Sequence, residues 1–148
     1  MSNPVFQTRD QDYAKSAHGH IEIVLQKYPE LDIRSKGEKV RQIAIEHQTS
    51  RNVYGSMAHK LPILIRSAGL VQALAFAQSR DKPEINLFLK HLAITIGFTC
   101  KAQEFAANIA KLELADYMYR TQQILDALLW YKRFAQSILD IKSTDSIQ

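Results

Sequence analysis

Three observations predict an all-α fold: a compact, single-domain bundle of about six to seven helices with a long C-terminal helix. Apolar residues recur at three- and four-residue steps through most of the 148 residues, the period of a helix with one buried face. Only five glycines and four prolines are present, few for a β-rich chain with many tight turns. The one β-branched stretch, ITIGFTC at 94–100, has no convincing partner strand and follows a helical period, so a helix ending near Gly97 is expected there.

A first helix is expected over residues 8–28. Tyr13, Ala14, Ala17, Ile21, Val24 and Leu25 share one face, and Thr8 or Asp10 can serve as N-cap. Pro29 turns Tyr28 out of the helical region. Ser35 or Gly37 opens a second helix to about His47, with Val40, Ile43 and Ala44 inward. Gln48, Thr49, Ser50 and Asn52 then read as a break, with Ser50 capping a further helix through Val53, Tyr54, Met57, Ala58 and Leu61. Pro62 lacks an N–H, so a break or kink is expected there. Pro62 then starts a short helix whose Ile63, Leu64 and Ile65 are buried nearly all round and which Gly69 closes.

Leu70, Ala73, Leu74 and Ala77 form the inner stripe of the next helix, with Phe76 beside it. Ser79-Arg80-Asp81-Lys82 reads as a polar turn, and Pro83 as the first residue of a helix through Ile85, Phe88, Leu89, Leu92 and Ile96. Residues 101–110 make a short alanine-rich helix. The longest helix is expected over 113–141, with Tyr117, Thr121, Ile124, Leu128, Tyr131, Ala135 and Ile138 in an alternating four-three stripe. Residues 1–142 are read as one domain and 143–148 as a flexible tail.

No apolar run approaches the ~20 residues of a membrane span. The opening MSNPVFQTRDQDYAK lacks a basic stretch followed by an apolar block, so no secretory leader is expected and the reading is cytoplasmic. The single Cys100 excludes an internal disulfide or a cysteine-based zinc cluster. His18 and His20, two apart on a helix, point about 200° apart and do not suit one metal. P-loop, G-x-G-x-x-G, H-E-x-x-H and G-x-S-x-G motifs are absent. No catalytic residue, metal, cofactor or small-molecule substrate is expected.

The net charge of +4 is concentrated mid-chain: residues 51–112 hold eight Lys/Arg against three Asp/Glu, while residues 1–50 hold seven of each. Such an excess suits phosphate contacts, because each neutralised phosphate releases condensed counterions. The candidates are Lys60 and Arg66 flanking Pro62, Lys132 and Arg133 after Trp130-Tyr131, and, with less support, Arg51 and Lys101. The competing reading is a solvated helix face whose Lys and Arg stems cover apolar surface. Trp130 and Tyr131 could stack on bases, but helical spacing favours the core for at least one of them.

The stretch YGSMAHKLPILIRSAGLVQALAF, Tyr54 to Phe76, resembles the central block of the small helical subunit of the Cmr complex, the type III-B CRISPR RNA-silencing effector. The matching steps are Tyr54-Gly55-Ser56, Lys60-Leu61-Pro62, Ile63-Leu64-Ile65, Ala68-Gly69-Leu70 and Leu74-Ala75-Phe76. YMYRTQQILDALLWYKRFAQSI resembles that family's last helix, and Asp10-Gln11-Asp12-Tyr13-Ala14 the opening of its first, with Asp12 where the family often has a basic residue. The resemblance implies an all-α, non-catalytic subunit. Its partners would be other Cmr subunits, further copies of itself, crRNA and target RNA, with Lys60, Arg66, Lys132, Arg133, Arg51 and Lys101 as candidate RNA contacts. Alternatives are a helical protein-interaction adaptor without nucleic acid, and a helix-turn-helix DNA binder built on short helices around Pro62. The latter is disfavoured because Ile63-Leu64-Ile65 reads as buried where base-reading polar side chains are needed.

Overall fold

The computed structural model describes residues 8–31 and 37–141. Six helices and no strand occur among them: α1 Arg9–Lys27, α2 Glu38–Ala68, α3 Leu70–Ser79, α4 Pro83–Thr95, α5 Ala102–Ala110 and α6 Leu114–Ser137. All six contribute to one apolar core. The expected tail and the alternative helix start at Ser35 lie outside the described residues.

Local signals set most ends. Thr8 caps α1 in a reciprocal capping box with Gln11, pairing two helix-end N–H groups. Tyr13, Ala17, Ile21 and Val24 of α1 are buried, mainly along α6. Pro83 occupies the first turn of α4. Gly69, at φ 90°, sits in the left-handed region between α2 and α3. Lacking a side chain, Gly69 cannot cap α3; the Tyr117 hydroxyl from α6 accepts from Val71 N–H at 3.2 Å instead. At the other end of α4, Arg120 donates to the Ile96 carbonyl at 2.6 Å, a cation on the negative end of the helix dipole.

Five expectations are corrected. The breaks at 48–52 and Pro62 do not occur: α2 runs unbroken for 31 residues and is longer than α6, which ends at Ser137 after 24. Its polar run is helical because several of its side chains find partners that a helix permits. Thr49 Oγ1 donates to the Ile45 carbonyl, His47 Nδ1 to Pro29 and Arg51 to Tyr28, the last two tying α2 to the end of α1. At Pro62, burial prevails. Tyr54, Leu61 and Ile65 are at most 4% exposed, and burying such side chains contributes about 1.5–3 kcal/mol each. A proline inside a helix costs about 3 kcal/mol. Ile63, expected to be buried, is 65% exposed, and Ile43, expected inward, is also exposed. With α2 continuous, the short helices required by the helix-turn-helix alternative do not exist.

A polar network runs from the half-buried Ser16, His20 and Thr95 into the core at Tyr131, His91 and Tyr54. The Tyr131 hydroxyl lies 2.6 Å from His20 Nδ1, 2.7 Å from Thr95 Oγ1 and 3.2 Å from the His91 carbonyl oxygen. Thr95 bonds on to Ser16 at 2.6 Å. His20 stacks on His91 with ring centroids 4.1 Å apart, and Tyr54 bonds His91 Nδ1 at 2.7 Å. Burial drives the His91 pKa down to about 3, aided by the neighbouring His20, and lowers that of His20 as well. Burial raises the Tyr54 pKa, so its protonated phenol donates and the neutral imidazole accepts.

The unfolded His91 binds its proton near pH 6.5, the folded one only near 3. Between those values the unfolded chain holds more protons, so stability falls as pH drops through that window. Thermal melts at pH 7 and 4.5 will show a lower Tm in acid, and His91→Gln will reduce the difference; an equal difference in the variant refutes the assignment. At Gly55 an added Cβ would overlap Ile141 Cδ1 and lie 3.2 Å from its Cβ and Cγ2. Gly55→Val is therefore expected to cost about 1–3 kcal/mol. Gly19→Ala, which meets nothing within 4 Å, should stabilise by about 0.5–1 kcal/mol, both read from urea unfolding.

Candidate nucleic-acid interface

A groove of about 390 Å³ runs between α2 and α6, lined by His59, Lys60, Pro62, Ile63 and Arg66 from one helix and by Gln122, Leu125, Asp126, Leu129 and Lys132 from the other. The α2 side follows from the continuity of that helix. Lys60, Ile63 and Arg66 are three residues apart, so they form one slanted row only if the helical phase carries through Pro62. On α6 the lining residues recur at three- and four-residue steps, the stripe next to the buried one. The floor is partly apolar, with Ile63 and Leu129 exposed.

Asp126 is the one carboxylate among these lining residues, and both its oxygens are engaged. Oδ2 receives Arg9 at 2.8 Å and Oδ1 receives Gln122 at 2.9 Å. The Arg9 guanidinium offsets the acid, so the groove is net positive from Lys60, Arg66 and Lys132. The Lys60 pKa is lowered, first by burial and then by Arg80 and Lys82 across from it. Lys60 also lines a shallower hollow of about 250 Å³ with Ile63, Leu64, Phe76 and Arg80. The basic surface thus continues from the groove towards the α3–α4 turn.

The six expected contacts separate. Lys60, Arg66 and Lys132 converge on the groove. Arg133, on α6, lies over the Trp130 ring at 5.1 Å and does not line it. Arg51 is 8% exposed and donates to the Tyr28 carbonyl at 2.7 Å, where it closes the α1–α2 joint. Lys101, at the N-cap of α5, lines a different groove of about 330 Å³ together with Lys27 and Lys90. Trp130 donates from Nε1 to Asp10 and packs on Phe134, while Tyr131 is fully buried. Arg80 and Lys82 were missed, because a polar turn carries no periodic signal. Their one mark in the sequence is two cations within three residues beside the central block.

His18 pairs with Glu22 at 3.5 Å, and His20 points into the core instead. Among the described residues no three His, Cys, Asp or Glu side chains cluster in a way that could hold a metal, and no helix is long and apolar enough to cross a membrane. Cys100 is half-buried and its thiol pKa is raised by burial.

Residues 9–138 match the family model of a CRISPR-associated protein, Cas_Cmr5. The chain is similar to the CRISPR system Cmr subunit Cmr5 of Thermus thermophilus, with 41% identity over 103 residues, 70% of this chain and 88% of that protein. It also resembles the crystal structure of a CRISPR-associated Cmr5 family protein from the same species. The TM-score is 0.68 at 34% identity, covering 92% of this chain and 100% of the other.

Proposed function

The chain belongs to the Cmr5 family of CRISPR-associated proteins, and from that premise we propose that it is a non-catalytic structural subunit of a type III-B CRISPR ribonucleoprotein that helps to hold target RNA. The observation carrying the RNA part is the convergence of Lys60, Arg66 and Lys132 on one groove whose lining carboxylate is already neutralised. Ammonium and guanidinium groups spaced along a groove suit a sugar–phosphate backbone. In this reading sequence recognition falls to pairing between guide and target strands. The subunit would stack beside the crRNA-bearing backbone and beside further copies of itself in the cytoplasm. Arg133 and Lys101 remain outlying candidates for contacts elsewhere in the particle. Arg51 is better placed to hold the fold.

Two measurements test this. The C-terminally tagged protein, purified gently from its native cells, should emerge in a large particle with other Cmr subunits and short RNAs sharing a repeat-derived end. A chain free of nucleic acid in cells expressing the complex would instead favour the adaptor reading. For the purified chain with a single-stranded RNA, three phosphate contacts predict a slope of log affinity against log salt of about −2.1, from ~0.7 per contact. Lys60→Gln with Arg66→Gln should make it shallower by about 1.4, two contacts' worth. An unchanged slope and affinity removes both residues from the interface.

A further inference from the structure

We propose that the small cavity between α2 and the α3–α4 turn, lined by Ser56, Lys60, Arg80 and Lys82, is a site for one phosphate group of an RNA strand that continues out of the α2–α6 groove. The source of the phosphate rests on the RNA-holding reading; the cavity itself does not.

The cavity measures about 30 Å³ and is completed by Val53, Met57 and Ile85. One water needs ~10–15 Å³ of such space, so the cavity has room for a few phosphate oxygens and none for a base or ribose. No lining residue is acidic, and among the described residues neither Arg80 nor Lys82 has an ion pair. The nearest acid in sequence, Asp81, is exposed and accepts from Asn86 Nδ2 at 3.5 Å.

Ser56 supplies the second, independent sign. It is 4% exposed, and its Oγ is buried without a hydrogen-bond partner. Helical Ser and Thr ordinarily settle this by bonding the carbonyl four residues back. Ser67, Thr49 and Thr121 of this protein all do so, at 2.8 to 3.0 Å. Ser56 does not, and it lines a cavity where three cations meet and no acid does. A buried hydroxyl left as a donor beside converging positive charges fits an oxyanion, which accepts from the hydroxyl and balances the charges together. Arg80 and Lys82 both lie within electrostatic reach of Lys60. Lys60 belongs to both the groove and the cavity, which makes the two sites neighbouring stations on one backbone.

The test uses the full chain and two probes. Inorganic phosphate titrated against isotopically labelled protein should shift the amide resonances of Ser56, Arg80 and Lys82 saturably. Ser56→Ala, a favourable residue within a helix, should weaken that response severalfold. With single-stranded RNA, Arg80→Gln combined with Lys82→Gln, both on a surface turn, should make the salt slope shallower by about 0.7, one phosphate's worth. Shifts at Ser56 together with the shallower slope establish the proposal. Phosphate shifts with an unchanged RNA slope assign the cavity to free phosphate and overturn the RNA part. No shifts and an unchanged slope, while Lys60→Gln with Arg66→Gln still alters RNA affinity, overturn the cavity and leave the groove standing.

Discussion

The architecture depends on a buried polar knot around Tyr131. One hydroxyl on α6 is within hydrogen-bond distance of a side chain of α1, a side chain of α4 and a backbone carbonyl of α4, and the His91 ring it borders is held by Tyr54 of α2. Apolar contact alone tolerates sliding of one helix along another by a fraction of a turn. Hydrogen bonds to the buried Tyr54, His91 and Tyr131 do not, because an unmade bond at one of these leaves a desolvated polar group. The knot therefore sets the register of α1, α2, α4 and α6 against one another. Aromatic packing supports it: Phe88 meets both Tyr54 and Tyr131 edge-to-face at about 5 Å.

That register places the basic row of α2 opposite the outer stripe of α6. The same relation reappears beyond the end of α6, where the chain turns back through Asp140 at φ 56° and seats Ile141 against Gly55. There the Ile141 carbonyl accepts from His59 Nε2 at 3.1 Å. Gly55 and His59 lie one turn apart on α2, so the returning segment is anchored just ahead of the groove. The glycine in the central block thus has a packing reason: without a Cβ, α2 leaves room for the segment that closes the bundle.

Much of this was legible because it is locally written. The Thr8 cap, the Leu70, Ala73, Leu74, Ala77 stripe and the Pro83 start each depend on residues within one or two turns of each other, and each stands where the pattern puts it. The continuity of α2 was not legible, because what stabilises its polar run lies mostly elsewhere. Arg51 and His47 bond carbonyls at Tyr28 and Pro29, 23 and 18 residues away. Pro62 reads as a breaker until the burial of its neighbours is known. The candidate site divides the same way. Residue type marks Arg51 and Arg66 alike as cations, yet one is buried against a carbonyl and the other faces the groove. Only the packing of two distant segments separates them. Arg80 and Lys82 lay in a turn, where no periodicity points inward or outward.

The groove also explains why α1 matters to a site it does not line. Asp126 sits among the groove residues, where a free carboxylate would oppose any phosphate and attract Lys132 or Arg66 into an internal pair. Arg9 takes one oxygen and Gln122 the other. Arg9 and Asp126 are 48% and 29% exposed, and surface pairs of this kind contribute little to stability. The value of the contact is therefore electrostatic, not folding energy: it offsets the negative charge in the groove. The opening of the first helix, with Asp12 exposed and Arg9 turned towards α6, thus shapes the basic surface indirectly. Removing Arg9 would leave the bundle standing while returning a negative charge to the groove proposed to hold a phosphate backbone.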